Sequence, residues 1–280
     1  MENTLYIIGN GFDLHHGLNT SYLNFRNYCA SLLPSLWRFL SEIYGDVINN
    51  DMWWSDFENM LGCVNYDNLA LSNNGFAIGE QKVQNLFKGM LPPLFGKWIK
   101  QIGGDPQIDK DLNIDADALF FSFNYTLVLE RTYHVDEKKV WHIHNSIDNP
   151  DNIIIGHDSD ERKLFSTYLS NKTNYIVSSD FVDRVNRKIA QGSKNVKMII
   201  ENHKDRFFDV YSQIRHIVIM GFSFNEIDMP YIKAIIEANK NAADIDWTIY
   251  FHSKGEDKVF IRKLLRIGID CSKINAPINW

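Results

Sequence analysis

The strongest constraint in this chain is a short uncharged run that stops at a glycine. Leu5-Tyr6-Ile7-Ile8 leads directly into Gly9-Asn10-Gly11-Phe12-Asp13. The run shows no alternation of apolar and polar residues, so both of its faces are to be buried. That is the signature of a strand in a parallel sheet covered on two sides. Comparable runs recur at Ala118–Phe121, Ile217–Met220 and Trp247–Phe251, with shorter strand candidates at Val140–His144 and Ile153–Ile155. Segments of helical spacing lie between them. The alternation predicts an α/β fold: a Rossmann-like, mainly parallel sheet with helices on both faces.

One stretch breaks the alternation. From about residue 21 to 102 the pattern is almost wholly helical, which predicts a helical insertion after the first strand within a single domain spanning 1–280. Thr20 or Ser21 can cap its first helix. Tyr22, Phe25, Cys29 and Leu32 then fall on one stripe. Pro34 ends that helix, and Leu36–Tyr44 forms the next. Ser55 and Glu58 have the spacing of a capping box, and Trp53, Trp54 and Phe57 around them read as core. Glu80–Ile102 is helical with a break at Pro92-Pro93, and Gly103-Gly104-Asp105-Pro106 is a loop. Farther on, helices are expected at Leu127–Tyr133, Asp180–Gln191, Val196–Gln213 and Lys258–Ile267. Pro230 suits the first turn of another, where its missing N–H has no partner to lose.

Composition narrows the function. The chain has 280 residues, 45% of them hydrophobic, enough for a substantial core. Its net charge of −6 is spread thinly, with no basic block to attract a phosphate backbone, so nucleic acid is not an expected partner. Cys29, Cys63 and Cys271 lie far apart without metal spacing, which fits a reducing compartment. The N-terminus lacks a signal-peptide pattern, and no run approaches the ~18 apolar residues of a membrane span. A cytoplasmic protein with no membrane association is expected.

Polar residues gather where the strands end, which is where ligands bind in such sheets. The turn Gly9–Asp13 can let a phosphate approach the backbone, or it can be a plain strand-to-helix turn. It matches neither the dinucleotide fingerprint nor a phosphate loop. Asn124 follows a strand; its amide suits ribose hydroxyls or an attacking water, and equally a helix cap. In Trp141-His142-Ile143-His144-Asn145 the two histidines would share one strand face. Either can act as a base near neutrality, and together with His157 and Asp158 they can form a metal site for a hydrolase or nuclease. Gly221-Phe222-Ser223 closes another strand. Ser223 or Asp228 can cap the following helix or meet a ribose hydroxyl, but the nucleophile-elbow glycine is missing.

Taken together these residues resemble the bacteriophage abortive infection AbiH family. The likeness rests on Leu5-Tyr6-Ile7-Ile8-Gly9-Asn10-Gly11-Phe12-Asp13-Leu14, Gly17-Leu18, Thr20-Ser21-Tyr22, Phe57-Glu58, Ser122-Phe123-Asn124-Tyr125-Thr126, His142-Ile143-His144 and Gly221-Phe222-Ser223 through Asp228. That family in turn resembles, more distantly, sirtuin-like NAD-binding proteins. The likeness implies NAD as ligand or substrate. Gly9, Asn10, Gly11, Phe12 and Asp13 would line the dinucleotide, and Gly221, Ser223 and Asp228 its adenosine side. Asn124 and His144 would take the catalytic positions, in an anti-phage effector that hydrolyses the nicotinamide–ribose bond. A non-catalytic nucleotide sensor is the remaining alternative. Asn145 stands where the likeness has a glycine, and the paired Cys-x-x-Cys motifs of zinc-bearing deacylases are missing, so no metal is expected. An effector of this kind implies a phage-derived trigger or a partner defence protein, with a homo-oligomer as a further expectation.

Overall fold

The computed structural model describes residues 3–71, 76–103, 112–158, 177–206, 210–239, 242–251 and 255–277. Six strands form one all-parallel sheet: β1 (Thr4–Ile8), β2 (Leu119–Ser122), β3 (Val140–His142), β4 (His216–Met220), β5 (Asp246–Tyr250) and β6 (Ile274–Asn275). Their spatial order is β3-β2-β1-β4-β5-β6. This is the strand order of a Rossmann-like doubly wound sheet, with its switch point between β1 and β4. Leu5 pairs with Leu119 on one side and Ile217 on the other, so the first apolar run is the central strand. Its burial on both faces follows from that position.

The chain divides into two compact units. The first comprises Met1–Thr20, Ile99–Asn149 and Val196–Trp280 and contains the sheet. On one sheet face Tyr6, Ile8, Phe120, Val140, Val218 and Met220 form a core with Phe12 and with Val128 and Leu129 of the helix Val128–Arg131. On the other, Phe121 and Trp141 pack edge to face, and Phe121 also meets Tyr211 and Tyr231. Helices therefore cover both faces of the sheet.

The second unit comprises Ser21–Trp98 and Pro150–Asn195. Ser21 caps the helix Tyr22–Leu32 by accepting from the Asn24 amide, and Pro34 opens the helix Pro34–Tyr44. Trp53, Trp54 and Phe57 are core, as expected, in an aromatic cluster with Phe25, Phe95 and Trp98. Pro92 and Pro93 do not break the helical path. A π-helical turn, Leu86–Met90, precedes the helix Leu91–Gly103, so the prolines sit in its first turn.

Several local expectations are corrected. Ser55 does not cap: it ends the helix Asp51–Ser55, its hydroxyl donates to Met52 O, and Asp56 precedes the next helix. Glu58 is instead drawn into a buried ion pair with Lys194. Ile153–Ile155 is not a strand but buried irregular chain after a 3₁₀ turn. A short apolar run is equally satisfied by burial without pairing. The helix expected at Leu127–Tyr133 is one turn, Val128–Arg131, and that at Val196–Gln213 is seen as Val196–Asn202. Residues 207–209, and most of the loop Gly103–Pro106, lie outside the described residues.

Candidate functional site

The turns that follow β1 and β4 meet at the switch point, and they meet backbone to backbone. The Gly9 amide donates to Met220 O at 3.0 Å and the Gly11 amide to Gly221 O at 2.9 Å. A Cβ on Gly9 would lie 2.6 Å from Gly221 O, and one on Gly221 would lie 2.1 Å from the Phe12 nitrogen. Gly221 also takes a left-handed φ of 65°. Three glycines thus serve the close approach of two chain segments. Phe12, on the short helix Asn10–His15, points into the sheet core. Asn10 and Ser223 are exposed.

Beyond Gly221 the backbone is left-handed again at Phe224, φ 54°, a conformation costly for a bulky residue. Phe224 is fully buried between Phe222 and Phe260, so packing holds it there. Asp228 occupies the N-cap position of the helix Met229–Ala238, with Pro230 in its first turn, but its carboxylate makes no capping bond. The cap expected of Ser223 or Asp228 is therefore not formed by either side chain. The backbone supplies the turn instead, the Asp228 amide donating to Asn225 O.

A buried polar cluster sits at the carboxyl ends of β1, β2 and β3. Asp13 follows β1, and Asn124 and Thr126 follow β2. Asn124 Nδ2 donates to Asp13 Oδ1 at 2.9 Å, and the Thr126 hydroxyl donates to both Asp13 oxygens at 2.8 Å. His142, the last residue of β3, donates from Nδ1 to the Asn124 carbonyl at 2.7 Å, and its Nε2 meets Glu130 Oε1 at 2.8 Å. A carbonyl only accepts, so the proton on Nδ1 is fixed. Asp13, Asn124 and Thr126 are almost completely buried. Among the described residues Asn124 Oδ1, which is buried, finds no hydrogen-bond partner.

Burial drives the electrostatics. It lifts the Asp13 pKa from 3.8 to about 7, against the bonds from Thr126 and Asn124 and the charge of His142. For His142 burial alone would lower the pKa, but the bond and charge of Glu130 prevail and raise it above 6.5.

The sign for stability follows. Between pH 3.8 and about 7 folded Asp13 holds a proton that the unfolded chain has lost, so folding weakens as pH rises through that window. A displacement of that size corresponds to ~4 kcal/mol at most. Asp13→Asn is expected to remove this slope. Urea midpoints of wild type and variant, compared from pH 4.5 to 8, should diverge in the variant's favour as pH rises. Parallel curves would contradict the assigned burial. His142 acts in the higher range: its contribution is complete below 6.5 and is lost as pH climbs through its raised folded value.

The two histidines do not share a face. β3 ends at His142, and a turn closed by the Asn145 amide donating to His142 O carries His144 to other neighbours. His144 is buried among Phe123, Tyr125 and Tyr231, and Phe123 stacks on Phe222 of the β4 turn. Asn145 is left-handed, φ 63°, a conformation asparagine tolerates better than most residues, and so fills the glycine position. His157 donates from Nε2 to Ile189 O in the second unit. Among the described residues no three His, Cys, Asp or Glu side chains are grouped to hold a metal ion, which leaves the alternative of a metal site built on the histidines without support.

The family model of the bacteriophage abortive infection AbiH proteins matches residues 5–251. The chain belongs to the AbiH family. No curated protein and no solved structure matches it. The match to this family, one of anti-phage abortive infection, spans the first strand through β5 and includes every residue of the buried cluster. Among the described residues no helix is long and apolar enough to cross a membrane. Sequence reading singled out Asp13, Asn124 and His142 but missed Glu130 and the role of Thr126. Glu130 lies in an ordinary amphipathic turn, and only the β2–β3 pairing brings His142 to it.

Proposed function

We propose that this AbiH chain is an abortive-infection effector that binds NAD and, when triggered by infection, hydrolyses its nicotinamide–ribose bond. One observation carries the reading: a buried asparagine, Asn124, is held rigidly by Asp13 at the carboxyl ends of neighbouring parallel strands in a Rossmann-ordered sheet. Breaking the bond builds positive charge on the ribose, and a site that fixes the sugar and supplies a base favours the step. Asn124 positions the ribose or the attacking water. His144 takes a proton from water as it adds to the ribose carbon, and nicotinamide leaves with the electron pair, giving ADP-ribose. The exposed Asn10 and Ser223 offer polar contacts to the dinucleotide, beside turns whose glycines are already engaged with one another.

The test is the NAD content of phage-infected cells carrying the wild type, Asn124→Ala or His144→Ala, with free nicotinamide measured alongside. Wild type should deplete NAD after infection; each variant should retain it and lose protection. Protection by the wild type with NAD unchanged would sink the hydrolase reading. If purified protein then gains thermal stability with NAD, a non-catalytic sensor is the better description.

A further inference from the structure

An asparagine amide has a donating and an accepting end, and which end faces a ligand is decided by what holds the other. In this chain Asn124 Nδ2 is held by Asp13. Turning the amide over would set its oxygen against a carboxylate, acceptor against acceptor. Asp13 is itself fixed, since the Thr126 hydroxyl spans both of its oxygens. The main chain of Asn124 is tied twice more: its carbonyl accepts from His142, which Glu130 orients, and its amide donates to Ser122 Oγ at 3.2 Å. The outcome is a buried Asn124 Oδ1, turned away from Asp13, with no hydrogen-bond partner among the described residues. A buried unsatisfied acceptor is costly, and a native fold that keeps one calls for an explanation.

We propose that Asp13 is a positioning residue for Asn124: clamped by Thr126, it locks the amide so that its oxygen is the end presented to a donating group of the ligand, and the His142–Glu130 pair holds the main chain of Asn124 in the same setting. This rests on the reading of Asn124 as a ligand-contacting residue. It gives His142 a role distinct from His144, because both ring nitrogens of His142 are engaged and neither is placed to act as a base on substrate. It also gives the clamp a pH dependence. Ionised Asp13 enforces the orientation. Protonated Asp13 can donate, and the amide is free to turn. His142 is the charged group that acts on Asp13, and Glu130 lies behind it. His16, at the C-cap of the short helix that carries Asp13, is engaged with Phe12 O and the Tyr133 hydroxyl.

Two measurements test this. NAD binding by calorimetry, from pH 5.5 to 8.5, should strengthen in the wild type as Asp13 ionises. Asp13→Asn and Thr126→Val, both close in shape to the native residues, should weaken binding at pH 8 by about tenfold, the scale of one lost charge-assisted hydrogen bond. Asp13→Asn should flatten the pH profile, and Thr126→Ser, which keeps the hydroxyl, should recover most of the loss. The second measurement is independent of NAD: the side-chain amide protons of Asn124, followed by NMR, should exchange slowly and titrate with Asp13, and both features should vanish in Asp13→Asn. Wild-type affinity and pH profile in the Asp13 and Thr126 variants would overturn the proposal while leaving Asn124 as a ligand contact. If NAD does not bind at all, the functional reading fails on its own. The amide signals then decide the clamp, and signals indifferent to Asp13→Asn would end it.

Discussion

Replacing Gly221 by alanine is expected to cost ~3–5 kcal/mol, the largest loss of any methyl-sized change in the sheet unit. Two effects add. The residue sits at φ 65°, where a Cβ carries a penalty of roughly 1–2 kcal/mol. The new Cβ would also lie 2.1 Å from the Phe12 nitrogen and 2.5 Å from the Gly11 carbonyl carbon. Both are backbone atoms, so no rotamer relieves the clash. The two turns must separate, and the bonds from the Gly9 and Gly11 amides across the switch point would stretch or break. Gly17 is the control: its φ is 75°, but nothing lies within 4 Å of its Cβ position. Gly17→Ala should cost only the conformational part, ~1 kcal/mol. Chemical denaturation of the two variants separates the effects, and equal losses would show that the turns are not tightly packed.

The same turn shows what the sequence could convey. The run Leu5–Ile8 ending at Gly9 announces a buried parallel strand, because no amphipathic element has that pattern, and β1 is the central strand. The reason for the glycines was not legible. A glycine after a strand signals close approach of something, and the sequence does not say whether that is a phosphate or another backbone. Here Gly9, Gly11 and Gly221 approach one another. The histidines were misread for a related reason. Period-2 alternation places His142 and His144 together only while the strand lasts, and the strand ends at His142. Asn124 stood out by its position after a strand, but its orientation depends on Asp13, 111 residues earlier. Glu130 carried no signal, since its partner is fixed by strand pairing and not by local pattern. Motif-bearing turns could thus be read individually, whereas the hydrogen bonds joining them are a property of the sheet order.

In the second unit the decisive test falls on Glu58 and Lys194. Lys194 Nζ lies 2.8 Å from Glu58, and the two side chains are only 1% and 8% exposed. The pair ties the segment Pro150–Asn195 to Ser21–Trp98 within that unit. Lys194→Met keeps the length and apolar stem but leaves a carboxylate buried without its counter-ion, and should cost ~3–5 kcal/mol. Glu58→Leu should also be costly, since it takes away the carboxylate that the buried Lys194 ammonium faces. The double variant should lose much less than the sum, because desolvation of two charges no longer opposes folding, and the coupling can be read directly from a double-mutant cycle. A second bond between the same segments gives the contrast. Arg184 pairs with Glu80 at 2.6 Å, but their side chains are 34% and 17% exposed. Water already screens that pair, so Arg184→Met should cost less than ~1 kcal/mol. The two contacts resemble each other in distance and in the segments they join, and differ in burial. If Lys194→Met and Arg184→Met prove equally harmful, burial is not what makes the Glu58–Lys194 pair indispensable. If only the first is severe, burial is what makes the Glu58–Lys194 pair matter, and Glu58 variants should lower protection against phage through stability, with the Asp13–Asn124 hydrogen bond left in place.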